Sequence, residues 1–259
     1  SRFTKGGKIP AFTLAEVLVT LGIIGVVAAM TLPMLAKNYQ FYVRQQQFKK
    51  AYAELTVAMQ KAQFDLGENI ECHYQYKSIS HNIALSGNST LIWKHCFFFY
   101  DEIFKNLKIL KQCENNSLDG KCISNDLRGA EVVYAETQGG DDPDAALEKY
   151  NKDCPGFGTE FIQKRLKSYV LISGAVVMPY IHNDAYYRDS QFPLFLLDIN
   201  GHKGPNKWGY DVFLLEFARF NKYDSHVILQ GTTRCHPLDK NGYYSRDFVE
   251  YLYGRNAEL

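Results

Sequence analysis

Phe12–Leu35 reads FTLAEVLVTLGIIGVVAAMTLPML, and the fold turns on how this stretch is interpreted. It is 24 residues long and carries one charge, Glu16. As a helix rising 1.5 Å per residue it spans roughly 36 Å, which exceeds the ~30 Å hydrocarbon core of a bilayer. An acid within such a span costs about 2.5–3.5 kcal/mol even on a mild insertion scale, so Glu16 calls for a reason of its own.

The flanking sequence narrows the choices. Residues 1–11, SRFTKGGKIPA, carry Arg2, Lys5 and Lys8 and no acid. A secretory signal peptide would use Val27-Ala28-Ala29 as a small-residue cleavage site. The apolar run is longer than the usual ~7–15 residues of such a peptide, and Glu16 sits in its first turns. A plain transmembrane anchor accommodates the length but leaves Glu16 unexplained. Basic residues flank both ends, with Lys37, Arg44, Lys49 and Lys50 following the span, so charge alone does not set its orientation.

A third reading accounts for the acid. Ala11-Phe12-Thr13-Leu14-Ala15-Glu16 resembles the cleavage and methylation motif of type IV pilin-like proteins, the pseudopilins and minor pilins. Gly25 and Pro33 fall where those proteins carry a Gly and a Pro in the same helix. The resemblance covers about the first 35 residues. It implies that a prepilin peptidase cuts between Ala11 and Phe12 on the cytoplasmic side and that the new Phe12 amine is methylated. Ala11 stands where the family usually has Gly. The implied partners are the peptidase, other pilins or pseudopilins, an inner-membrane platform protein and an assembly ATPase. Glu16, four residues beyond the amine, would lie on the same helical face and pair with it or with a neighbouring subunit's amine. A wrongly docked subunit would leave that charge unpaired in an apolar interior. Pro33 removes an amide donor and weakens the preceding turn, which implies a bend or a melted segment. Gly22 and Gly25 permit close helix approach.

Beyond Pro33 the helix is expected to continue. Phe41, Phe48, Tyr52, Leu55, Met59, Ala62 and Leu66 keep three/four spacing with one gap, at Gln45. Arg44, Gln46, Lys49, Lys50, Glu54 and Lys61 lie between them, so residues 36–66 read as an amphipathic stalk. The stripe is most simply the face that packs on a head domain; a coiled-coil partner is the lesser alternative. Gly67 is a stop signal. The expected organisation is a leader (1–11), a transmembrane or filament-core helix (12–35), the stalk (36–66) and an extracytoplasmic head (67–259). The expected fold class is α+β, with the long helix packed on an antiparallel sheet and a disulfide-tied insertion.

Six cysteines, Cys72, Cys96, Cys113, Cys122, Cys154 and Cys235, all lie in the head region. None forms a C-x-x-C pair, which speaks against zinc. An even count confined to one region suits disulfides in an oxidising compartment, and the pairing stays open. Cys113 and Cys122 could close a short local loop. Trp93–Cys113 mixes aromatics with a possible helix, and 113–158 reads as an irregular insertion with Asp141-Asp142-Pro143-Asp144 as loop. Leu166–Ile172 and Ala175–Ile181 around Ser173-Gly174 read as a hairpin, followed by strands over Phe192–Ile199 and Asp211–Phe217. The tail from Cys235 holds a turn at 239–242 and a Tyr-rich segment with no assigned role.

The segment from Asp198 to Asp211, DINGHKGPNKWGYD, resembles a DxNGxxGPNxxGxD loop of pilin-like proteins. Asp198, Asn200 and Asp211 are candidate oxygen ligands for Ca²⁺, and the resemblance implies as much, since some pseudopilins hold calcium in a loop of the same sheet. The competing reading is a structured turn whose Asp and Asn side chains bond the backbone; it is favoured because a third acid and a bidentate Glu are missing.

Net charge is +1, which gives no electrostatic case for nucleic acid. There is no HExxH, GxSxG, P-loop or GxGxxG before a helix, and His182-Asn183-Asp184 stands without a nucleophile. The expectation is a non-catalytic subunit inserted in the inner membrane with its head in the periplasm or outside the cell. The alternative is a signal-anchored extracytoplasmic enzyme or adhesin.

Overall fold

A computed structural model describes residues 13–66, 72–73, 94–154, 157–179, 194–219, 227–232 and 235–252. The chain divides into two compact units, residues 1–43 and 44–259.

Helix α1 covers Leu14–Leu66. Its assignment is continuous through Pro33, so the helix is not melted there. Thr31 Oγ1 donates to the Val27 carbonyl in the preceding turn at 3.0 Å. In the first unit the apolar side chains, among them Leu14, Leu18, Ile23, Ile24, Met30 and Leu35, are exposed. This helix is long and apolar enough to cross a membrane.

In the second unit the stripe on α1 is core. Phe48, Tyr52, Leu55, Met59 and Ala62 are buried, as the three/four spacing predicts. Ala51 and Ala58 are buried beside them, and so is Gln45, which fills the gap in the pattern. Phe48 meets the edge of the Phe213 ring at 4.9 Å and lies 5.2 Å from Phe248, and the Tyr52 hydroxyl donates to the Leu229 carbonyl. The stripe therefore serves the head and not a coiled-coil partner.

A short parallel pair, β1 (Cys72–His73) and β2 (Lys94–His95), precedes α2 (Cys96–Lys105). The main sheet has six strands in sequential antiparallel order: β3 (Ile109–Cys113), β4 (Ser168–Leu171), β5 (Val176–Pro179), β6 (Leu194–Asp198), β7 (Val212–Arg219) and β8 (Val227–Gly231). The predicted hairpin is β4–β5, with Gly174 at φ +91° in the turn. The end of its second arm, 180–181, lies outside the described residues. Phe195 faces Leu215 across β6–β7, and Phe213, Leu215 and Phe217 alternate onto the face that α1 covers. On that face Tyr100 and Phe104 of α2 meet Phe195, and Phe104 stacks on Tyr169 at 3.8 Å.

The insertion is more regular than expected. It holds α3 (Ala130–Gln138) and α4 (Pro143–Asp153), with Tyr134 and Tyr150 in contact between them. Asp141–Asp144 is not a loop but a helix start. Asp142 caps α4 by accepting from the Ala145 amide at 3.0 Å, and Pro143 occupies the first turn, where its missing N–H costs nothing. The tail also has an element of its own, α5 (Ser245–Leu252), which brings Phe248 to Phe48 and Phe213. Two disulfides tie this part of the head. Cys113–Cys122 closes the short loop after β3, and Cys154–Cys235 joins the end of α4 to the segment after β8 across 81 residues. The side chains of Cys72 and Cys96 lie outside the described residues.

Candidate functional site

Two features carry the sequence-predicted residues: the start of α1 and the β6–β7 loop. Ala11 and Phe12 lie outside the described residues. Thr13 and Glu16 form a reciprocal capping box. Glu16 Oε2 accepts from the Thr13 amide at 2.9 Å and from its hydroxyl at 2.8 Å, and Thr13 Oγ1 accepts from the Glu16 amide at 3.2 Å. Thr-x-x-Glu before an apolar run is a helix-start signature, so this partner of Glu16 was legible in the sequence and went unread. Pro33 lies inside the helix, among exposed apolar residues.

The β6–β7 loop is a scaffold of side-chain-to-backbone bonds. Asp198, fully buried, accepts through Oδ1 from the amides of Asn200 (3.1 Å) and Gly201 (2.7 Å). Asp211 accepts from the Asn206 amide on Oδ2 (2.9 Å) and the Lys207 amide on Oδ1 (2.7 Å). Asn200 Nδ2 donates to the Gly204 carbonyl at 3.0 Å. These are the turn-forming roles that Asp and Asn perform well. Gly201 needs its φ of +59° and its bare Cα, because a Cβ would lie 2.9 Å from the Gly174 carbonyl of the β4–β5 turn. At Gly209, with φ +81°, a Cβ would lie 2.7 Å from the Tyr243 amide nitrogen. The Gly204–Pro205 peptide is cis and Asn206 has φ +54°.

Next to the loop, Trp208 is fully buried. Its indole donates to the Arg128 carbonyl at 2.9 Å and its amide to Asp239 Oδ2 at 2.8 Å. Asp239 also accepts from Arg128 at 2.6 Å, so the loop, the insertion and the tail converge on one carboxylate. Asp239 is legible in the sequence only as the start of the 239–242 turn; its part in this junction is not, since its partners are 31 and 111 residues away.

The loop's electrostatics are unbalanced. Burial, with the charge of Asp211 adding to it, pushes the Asp198 carboxyl up to about 8, and the two amide bonds pull back only in part. Burial also raises Asp211, opposed by the amides of Lys207 and Asn206, the Asn200 side chain and the charge of Arg44. Arg44 itself sits over the Tyr210 ring at 5.0 Å. Three oxygens of this loop, Asp198 Oδ2, Asn200 Oδ1 and Asn206 Oδ1, are buried without a hydrogen-bond partner among the described residues. Uncoordinated oxygen acceptors and two buried carboxylates suit a hard cation, so the donor set fits the calcium expected of it. Among the described residues no group of three or more His, Cys, Asp or Glu is placed to hold a metal ion; this donor set is part carboxylate and part amide oxygen.

The architecture thus defines an α+β chain whose first helix is apolar at its start and continues into a six-stranded antiparallel head. Comparison with protein families, with curated proteins and with solved structures finds no match to this chain.

Proposed function

We propose that this protein is a non-catalytic subunit of a type IV pilus-like or type II secretion pseudopilus filament. It is processed by a prepilin peptidase between Ala11 and Phe12 and assembled from the inner membrane by a platform protein and an ATPase. The observation that carries the reading is the pairing of the FTLAE start with an α1 whose first part is apolar and exposed and whose second part is head core. Such a helix suits a subunit that leaves lipid for a filament interior, where van der Waals packing replaces lipid contacts. The two disulfides suit a head on the oxidising side of the membrane. Mass spectrometry of the N-terminus of protein purified from its native membranes tests this. N-methylated Phe12 is the expected start, and a chain beginning near Met30 overturns the reading in favour of an exported domain.

One observation favours a second reading, a single-pass anchor for an extracytoplasmic enzyme or adhesin. The Thr13–Glu16 box accounts for Glu16 as a helix start, without any filament. An intact leader on the mature protein supports that alternative.

A further inference from the structure

The Cys154–Cys235 disulfide stands at a junction held from several sides. Cys154 caps the end of α4, and its amide donates to the Tyr150 carbonyl at 2.7 Å. One turn back, the Tyr150 hydroxyl donates to the Cys235 carbonyl at 2.6 Å. On the far side of Cys235, the His236 ring is seated among Trp208, Phe213 and Tyr244. Cys235 itself has φ +56°, in the left-handed region that residues with a Cβ rarely adopt. Such a conformation persists only where its surroundings over-determine it, and it gathers at sites that switch. Here the bond to Cys154, the Tyr150 hydroxyl and the seat of His236 impose it together.

Access separates this disulfide from Cys113–Cys122. Cys122 is 0% exposed and Cys113 7%, so a thiolate reaches that pair only when the head opens. Cys154 and Cys235 are both half-buried and keep part of their surface in solvent. Lys121, beside Cys122, also has a positive φ, +52°, but the cysteines it serves are covered. The anchors on either side of Cys235 do not use the disulfide. The Thr232 amide donates to Ser245 Oγ at 2.9 Å, and the Asp239 amide donates to the Trp208 carbonyl at 3.0 Å. Breaking the S–S bond therefore frees a short stretch and leaves the sheet and α5 in place.

We propose that Cys154–Cys235 is a thiol–disulfide exchange site, opened in the folded head by a dithiol oxidoreductase, and that it latches the end of α4 to the tail. A thiolate of the dithiol attacks one of the two sulfurs and forms a mixed disulfide; the S–S bond breaks and the other cysteine leaves as a thiolate, which takes up a proton. The second thiol of the dithiol then attacks its own partner sulfur, and the remaining cysteine leaves as a thiol. Two electrons and two protons pass to Cys154 and Cys235, and the dithiol ends as a disulfide. Cys235 is then free to leave the left-handed region, and α4 is held to the tail by hydrogen bonds alone. The chemistry rests on the head by itself; an oxidoreductase on the same side of the membrane rests on the proposed function.

The test treats the full chain in detergent, without denaturant, with excess reduced glutathione. Samples are quenched over time with N-ethylmaleimide, and peptide mapping by mass spectrometry assigns every cysteine, so Cys72 and Cys96 are read separately. Cys154–Cys235 should open at least tenfold faster than Cys113–Cys122. The chain opened at that bond should keep its far-UV spectrum and show faster hydrogen exchange at Cys235 and His236, with β6 and β7 still protected. Equal opening rates for the two disulfides overturn the proposal, and so does an opening that needs denaturant. Loss of the far-UV spectrum on opening also overturns it, since the bond would then be a staple of the fold and not a latch. Because the reagent is glutathione and not a cellular enzyme, the outcome is independent of where the mature N-terminus lies.

Discussion

Thr13 and Glu16 satisfy each other at the first turn of α1: one carboxylate oxygen accepts from both the amide and the hydroxyl of Thr13, at 2.9 and 2.8 Å. Glu16 therefore has two separable properties, a hydrogen-bonding shape and a charge. Glu16→Gln keeps the first and removes the second, since Gln serves the box as Glu does. Glu16→Ala removes both. If the charge sets register in a filament, both variants should insert in the membrane at wild-type levels and both should fail to enter filaments sheared from cells. If Glu16 is only a cap, Glu16→Gln should incorporate normally.

The buried stripe of α1 makes a prediction about the head alone. Phe48→Ala opens a cavity against Phe213 and Phe248 and should cost about 3–5 kcal/mol, read as a lower urea midpoint. Val57, exposed on the same helix, should tolerate Ala within about 0.5 kcal/mol. Equal effects at both positions would contradict the assignment of the stripe to the core.

Cys154–Cys235 restrains 81 residues, so its loss relaxes a long stretch of the unfolded chain. The double Cys→Ser variant should lose about 2–4 kcal/mol, measured as a fall in Tm under non-reducing conditions. Removing Cys113–Cys122, which spans only 9 residues, should cost less.

His236 sets an acid limit on the head. It is buried between the rings of Trp208, Phe213 and Tyr244, and burial lowers its pKa to about 3, with its own backbone and that of Pro237 offsetting this only in part. The unfolded chain takes up this proton near 6.5, the folded chain not until about 3. Between these values the unfolded state holds more protons, so stability is fully present above about 6.5 and falls as pH drops, by up to about 1.4 kcal/mol per pH unit. Urea unfolding of His236→Phe between pH 4 and 7 should show a shallower slope than wild type. An identical slope would exclude the imidazole as its source.

The helix and the central strands were readable because burial imposes a period on them. Apolar residues at three/four spacing marked α1 through Met59 and Ala62, and continuous apolar runs marked β6 and β7. Gln45 broke the pattern because hydrophobicity reports only the commonest way to occupy a buried site. Asp142-Pro143 was misread since the same residues that make turns also start helices, and only the chain that follows separates the two. β8 passed unread although Val227-Ile228-Leu229 carries a strand's composition. In the β6–β7 loop Asp198 and Asn200 were visible as oxygen donors, while Asn206 was not. Its relevance depends on which oxygens the backbone amides leave over, and that is fixed only by the folded loop.

The stripe on α1 leaves the ribosome first and finds its partners last. The Tyr52 hydroxyl ends on the Leu229 carbonyl, 177 residues downstream. At about 5–20 residues per second, the apolar face stays uncovered for roughly 10–35 s of synthesis before β8 exists. Throughout that interval the sheet can grow hairpin by hairpin, but the helix has nothing complete to lie on. A nascent head is thus a client for holding factors on whichever side of the membrane it emerges. A chain cut short before β7 would be marked for proteolysis by the greasy stripe it cannot hide.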